Sequence, residues 1–123
     1  MASSDNRAIT LISCSAPYNG SNARMALDAA MATAVFDKPV NFIFLGDGVL
    51  QLLKHQDGGL EYTKTIGNMI TALDLYGIET LWVEEESLDK RGLAQSDLVA
   101  NAKPATSEQI QTLINESVAV VNL

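Results

Sequence analysis

Ala8-Ile9-Thr10-Leu11-Ile12-Ser13-Cys14, set between Asn6-Arg7 and Ser15-Ala16-Pro17, decides how the rest of the chain is read. A run this short, dense in Ile and Leu and bounded by turn residues, marks a parallel strand buried on both faces. The segment 15–21 that follows carries Pro17, Asn19 and Gly20, the residues of a turn. Asn22 is then placed to cap a helix reaching about Phe36. Strand, turn and helix in this order open a βαβ unit.

The same alternation continues outward from that unit. Val40 to Leu45 reads as a second strand, and Gly46-Asp47-Gly48 turns it into a short helix from Val49 to Leu53, with Asp47 as a helix cap. The polar stretch Lys54 to Glu61, with Gly58-Gly59, reads as a loop. From Thr63 to Tyr76, the residues Ile66, Met69, Ile70 and Leu73 lie on one helical face, and Gly77 is placed to end the helix in a left-handed conformation. Ile78 to Val83 forms a third strand; Glu84-Glu85-Glu86 and a short helical piece, Ser87 to Arg91, come next, closed by Gly92. Leu98 to Ala100 reads as a fourth strand, and Pro104-Ala105 as the approach to a helix. Thr106 and Gln109 make a capping-box pair for that helix, which carries Ile110, Leu113 and Ile114, and Val118 to Leu123 gives the last strand. Strands alternating with helices predict a three-layer αβα fold around a mainly parallel sheet of about five strands, a flavodoxin-like or similar doubly wound design. At 123 residues the expectation is one domain, 1–123.

The first helix is unusual. Ala23, Met25, Ala26, Leu27, Ala29, Ala30, Met31, Ala32, Ala34, Val35 and Phe36 leave little polar face, so cover on more than one side is expected, from a second subunit in a chain this small. Fifteen acidic against eight basic residues give a net charge of −7, which argues against direct contact with nucleic acid. The apolar runs 25–36 and 40–45 are too short to cross a bilayer, and Met1 to Arg7 lacks the cationic start and apolar stretch of a secretory signal. A cytoplasmic protein without membrane contact is expected. A single cysteine, Cys14, excludes an internal disulfide, and no His or Cys partner stands at metal-ligand spacing. Neither a metal nor a cofactor is read from the sequence.

Ligands of such sheets collect at the carboxyl ends of the strands, so the loops after strands one and three are the places to search. Gly20-Ser21-Asn22 opens a helix and could cradle an anion, yet it matches neither the dinucleotide fingerprint nor a phosphate-binding loop, and ordinary turn chemistry explains it. Cys14 could act as a nucleophile near a helix start, but no His or Lys adjacent in sequence activates it, and a buried thiol is the simpler reading. Glu84, Glu85 and Glu86 could hold a cation or supply a raised-pKa acid; solvated side chains favoured by the start of the next helix explain them as well. His55 stands alone in a polar segment, and Trp82 and Tyr76 read as core or interface anchors. No catalytic constellation emerges from the residues alone.

Several stretches together carry a family resemblance. Ser15-Ala16-Pro17 after the first strand, the alanine-rich helix, Phe44-Leu45-Gly46-Asp47-Gly48-Val49-Leu50-Gln51-Leu52-Leu53, Leu75-Tyr76-Gly77-Ile78-Glu79, Trp82-Val83, Ser87-Leu88 and Arg91-Gly92-Leu93 resemble the TusC/DsrF family of the DsrE/F/H superfamily over nearly the whole chain. The Asp-Gly-Val-x-Gln-Leu-Leu segment is its most specific part. The resemblance implies a DsrEFH-like fold and a subunit that assembles with TusB-like and TusD-like paralogues into a heterohexamer. That complex passes persulfide sulfur from a TusA-like donor towards a TusE-like acceptor for 2-thiolation of the tRNA wobble uridine. A DsrF-like subunit would instead serve dissimilatory sulfur oxidation. The relay cysteine belongs to the TusD/DsrE subunit, eight residues before the glycine of the Arg-Gly motif; counting back from Gly92 here reaches Glu84. A carboxylate cannot accept a persulfide, so the resemblance implies a non-catalytic subunit. The competing readings are a stand-alone thiol-dependent sulfurtransferase using Cys14 and a small-ligand binding module using Gly20 to Asn22.

Overall fold

Five strands form, β1 (Ile9–Ser13), β2 (Val40–Phe44), β3 (Leu81–Glu84), β4 (Ala102–Ala105) and β5 (Ala119–Asn122), and all but β4 carry β-branched or aromatic residues. The computed structural model describes residues 7–16, 21–36, 38–54 and 68–123. All four strand pairings are parallel, and the sheet order is β4-β3-β2-β1-β5. Helices α1 (Asn22–Val35), α3 (Glu85–Lys90) and α4 (Ser107–Asn115) lie between them. Helix α2 is described from residue 68 and tightens into a 3-10 turn at Leu73–Tyr76, and a 3-10 helix, Gly46–Leu52, follows β2.

Alternation along the strands sorts the side chains into two cores. Leu11, Phe42, Phe44, Leu81 and Val83 pack with Ala23, Ala26, Leu27 and Ala30 of α1, with Val49 and Leu52, and with Ile70 and Leu73 of α2. Ile12, Ile43 and Ala105 face the other way, where Ile110, Leu113 and Ile114 of α4 cover them together with Trp82 and Leu45. Helices on both faces of a parallel sheet make the expected three-layer α/β fold. Among the described residues, no helix is long and apolar enough to cross a membrane.

Three alanines at the buried seam let α1 approach the sheet closely, and Leu27 fills the space between them at 0% exposure. The helix does not bury all of its apolar surface: Met25, Val35 and Phe36 stay exposed, Phe36 at 82%. Gly77 ends α2 with φ +86°, the left-handed geometry expected of it, and Gly92 follows α3 with φ +65°. At the start of α4, Thr106 accepts a hydrogen bond from the Gln109 backbone at 3.2 Å while Gln109 accepts one from the Thr106 backbone at 2.9 Å. The capping box is formed as expected.

Several boundaries differ from the sequence reading, and the short helix after strand two spans Gly46–Leu52 rather than Val49 to Leu53. Strand three begins at Leu81 and includes Glu84, because Ile78 is drawn into the end of α2 by its hydrogen bond to the Leu73 carbonyl. Asn22 is the first helical residue rather than the cap; Ser21 holds that place, without a side-chain hydrogen bond. The helix after strand three starts at Glu85, directly at the strand end. The fourth strand is not Leu98 to Ala100 but Ala102–Ala105. Leu98 instead makes an isolated bridge with Leu53. Pro104 disguises the true strand, since proline is excluded from central strands but tolerated where one side of the strand needs no amide donor. β4 is such an edge.

The seam under α1 makes a direct prediction. Leu27→Ala should destabilise the protein by about 2–5 kcal/mol in urea unfolding, whereas Val35→Ser, on the exposed side, should stay within about 0.5 kcal/mol.

Candidate functional site: the carboxyl rim of the sheet

The connection from β1 runs through α1 on one face, while β5 is reached through α4 on the other. The topological switch therefore falls between β1 and β5, where ligands of doubly wound sheets bind. Cys14 stands at that point, just past β1. The loop after β3 is displaced from it by the width of β2. Extending the pairings Ser13↔Phe44 and Phe44↔Val83 by one residue puts Cys14, Leu45 and Glu84 in one row. By alternation from Ile12, Ile43 and Trp82, all three sit on the α4 face. The sequence alone gave no reason to associate Cys14 with Glu84.

The thiol of Cys14 is exposed and donates a weak hydrogen bond to Asn122 Oδ1 at 3.8 Å. Partial desolvation pushes its pKa up, and the negative charge of Glu84 pushes it further the same way. A nucleophilic cysteine needs the opposite shift, towards thiolate. The expectation of a buried cysteine fails, and the charge of Glu84 acts against its ionisation.

Glu84 is occupied rather than open. Its carboxylate accepts the hydroxyl hydrogen of Ser87, and Ser87 Oγ accepts the backbone N–H of Gly46 at 2.9 Å. Ser87 is 3% exposed, so this chain of donors ties the end of β3 to the end of β2 from within. Glu85 and Glu86 are in the first turn of α3, and Glu86 pairs with Lys90 at 3.2 Å on the surface. Glu84 and Glu86 thus have separate partners. Among the described residues, no group of three or more His, Cys, Asp or Glu side chains gathers as a metal site would require.

Asp47 is not a helix cap. Leu45 precedes the 3-10 helix without a side-chain cap, and Asp47 lies in its first turn. Its carboxylate accepts from Arg91 Nη2 at 2.7 Å and Nε at 3.3 Å, while Arg91 Nη1 donates to the Ser87 carbonyl at 3.1 Å. A partner 44 residues away takes the carboxylate that local capping would have used.

Gln51 was missed as a site residue. It is fully buried and its Nε2 donates to Ser13 Oγ and to the Ser15 carbonyl, each at 2.8 Å. The available signal was a polar side chain in the otherwise apolar run Val49 to Leu53, in the most specific stretch of the chain. Gly48 brings that helix in: a Cβ there would lie 2.1 Å from the Ser13 carbonyl oxygen.

Of the remaining candidates, His55 and Gly20 lie outside the described residues. Trp82 is half-buried on the α4 face, with the Lys103 ammonium 5.7 Å from its ring centre. Tyr76 is exposed at 43%. Two hollows of about 350 and 370 Å³ open at the amino ends of the strands, one beside Ile70 and Asn101 and one beside Ile9 and Phe36, away from this rim. The rim therefore presents a thiol held towards its protonated form, a carboxylate already hydrogen-bonded, and a clamp that fixes three strand ends.

A five-stranded parallel sheet covered by helices on both faces makes this a three-layer α/β protein, and residues 7–123 match the model of the DsrE/DsrF-like family; the chain belongs to that family. Within it, the chain is 37% identical to the protein TusC homolog of Vibrio parahaemolyticus over 109 residues, covering 89% of this chain and 92% of that one. It is 32% identical to the protein TusC homolog of Pseudomonas aeruginosa over 118 residues, covering 96% and 99%. The fold also matches the crystal structure of the ychN protein from E. coli with a TM-score of 0.84 at 18% identity, over 95% of this chain and 99% of that one.

Three outcomes test this geometry. Ser87→Ala should cost about 1–2 kcal/mol in denaturant unfolding, since it leaves the half-buried Gly46 N–H without its acceptor. Gly48→Ala should cost about 1–3 kcal/mol or more, as backbone and not a flexible side chain blocks the added methyl. The rate of Cys14 alkylation should rise with pH at a higher midpoint than in an unstructured cysteine peptide. Glu84→Gln should lower that midpoint, because removing the negative charge relieves the thiolate; an unmoved midpoint would leave burial as the only cause.

Proposed function

We propose that this chain is a non-catalytic subunit of a sulfur-relay complex that supports 2-thiolation of the tRNA wobble uridine. The observation that carries the reading is Glu84. It stands eight residues before Gly92, where the relay subunits of the superfamily have their sulfur-carrying cysteine, and its carboxylate is bound to Ser87 instead. A carboxylate offers no sulfur to attack a persulfide. The thiol nearest to it, Cys14, is biased against the thiolate that attack requires. Relatives named TusC homolog at 37% and 32% identity support the place of the chain within a Tus-like assembly.

In this reading the chain is a single domain, 1–123, working in the cytoplasm beside a TusB-like and a TusD-like paralogue, two copies of each in a heterohexamer. Sulfur moves when the thiolate of the TusD-like subunit attacks the outer sulfur of a persulfide on a TusA-like donor. One S–S bond forms, another breaks, and the donor leaves as its thiolate. A TusE-like protein then accepts the sulfur. With a net charge of −7, this subunit leaves tRNA contact to its partners. The exposed Met25, Val35 and Phe36 of α1 are surface that a neighbouring subunit would cover.

Purification of the tagged chain at native expression, followed by mass spectrometry, should recover two similar small chains. After exposure to a persulfide donor, intact masses should show added sulfur on a partner and none on this chain, and Cys14→Ala should leave transfer unchanged. Persulfide found on Cys14 of the isolated chain, with transfer lost in Cys14→Ala, would establish a stand-alone sulfurtransferase instead.

A further inference from the structure

We draw no further inference here: the strongest candidate, the outer edge of the sheet at β5 with the exposed Val118, Val120 and Val121, carries nothing because nothing in the structure shows what covers it.

Discussion

At Gly48 the 3-10 helix after β2 passes so close to β1 that a side chain of any size would collide with the Ser13 carbonyl, 2.1 Å from an added Cβ. Much of the rim depends on that approach. It carries Gln51 inward to hold Ser13 and Ser15, fixing the point where β1 gives way to its loop. It also leaves Gly46 and Asp47 at the outer turn, within reach of Ser87 and Arg91 from the β3–α3 junction. Three neighbouring strands are thereby tied at their carboxyl ends by hydrogen bonds from one seven-residue helix and its flank. The buried bonds in this clamp matter most energetically, because leaving either partner unsatisfied exposes a polar group to an apolar interior. The Asp47–Arg91 pair, with Asp47 58% exposed, adds geometry more than stability.

This clamp gives the rim its chemical character. The residue at the end of β3 is a carboxylate bonded to its own helix. The same negative charge reaches across β2 and disfavours the thiolate at Cys14. A single residue thus acts at two places on the rim, through its hydrogen bond with Ser87 and through its field at Cys14.

Most of the layer architecture was legible along the chain. The runs around Leu11, Phe42 and Val83 are too apolar for a one-sided sheet, and the spacing of Ile110, Leu113 and Ile114 after the Thr106–Gln109 box defines α4 without help from its surroundings. Where the reading failed, a distant partner overrode a local signal. Asp47 has the sequence position of a cap but is bonded to Arg91. Pro104 speaks against a strand, yet its place at the edge of the sheet makes one acceptable. Gln51 reads as an ordinary polar residue until its helix is pressed against β1.

The sequence by itself determined the alternation of strands and helices, the left-handed end at Gly77, and the presence of a carboxylate eight residues before Gly92. Each of these follows from neighbours a few residues apart, through hydrophobic period, backbone stereochemistry and spacing. Only the tertiary structure decided that β5 lies beside β1, that Cys14 and Glu84 share a row and a face, and that Ser87 occupies the glutamate. These depend on strand order and register, which bring together residues as far apart as Ile9 and Ala119 and leave no mark in the local pattern of either segment.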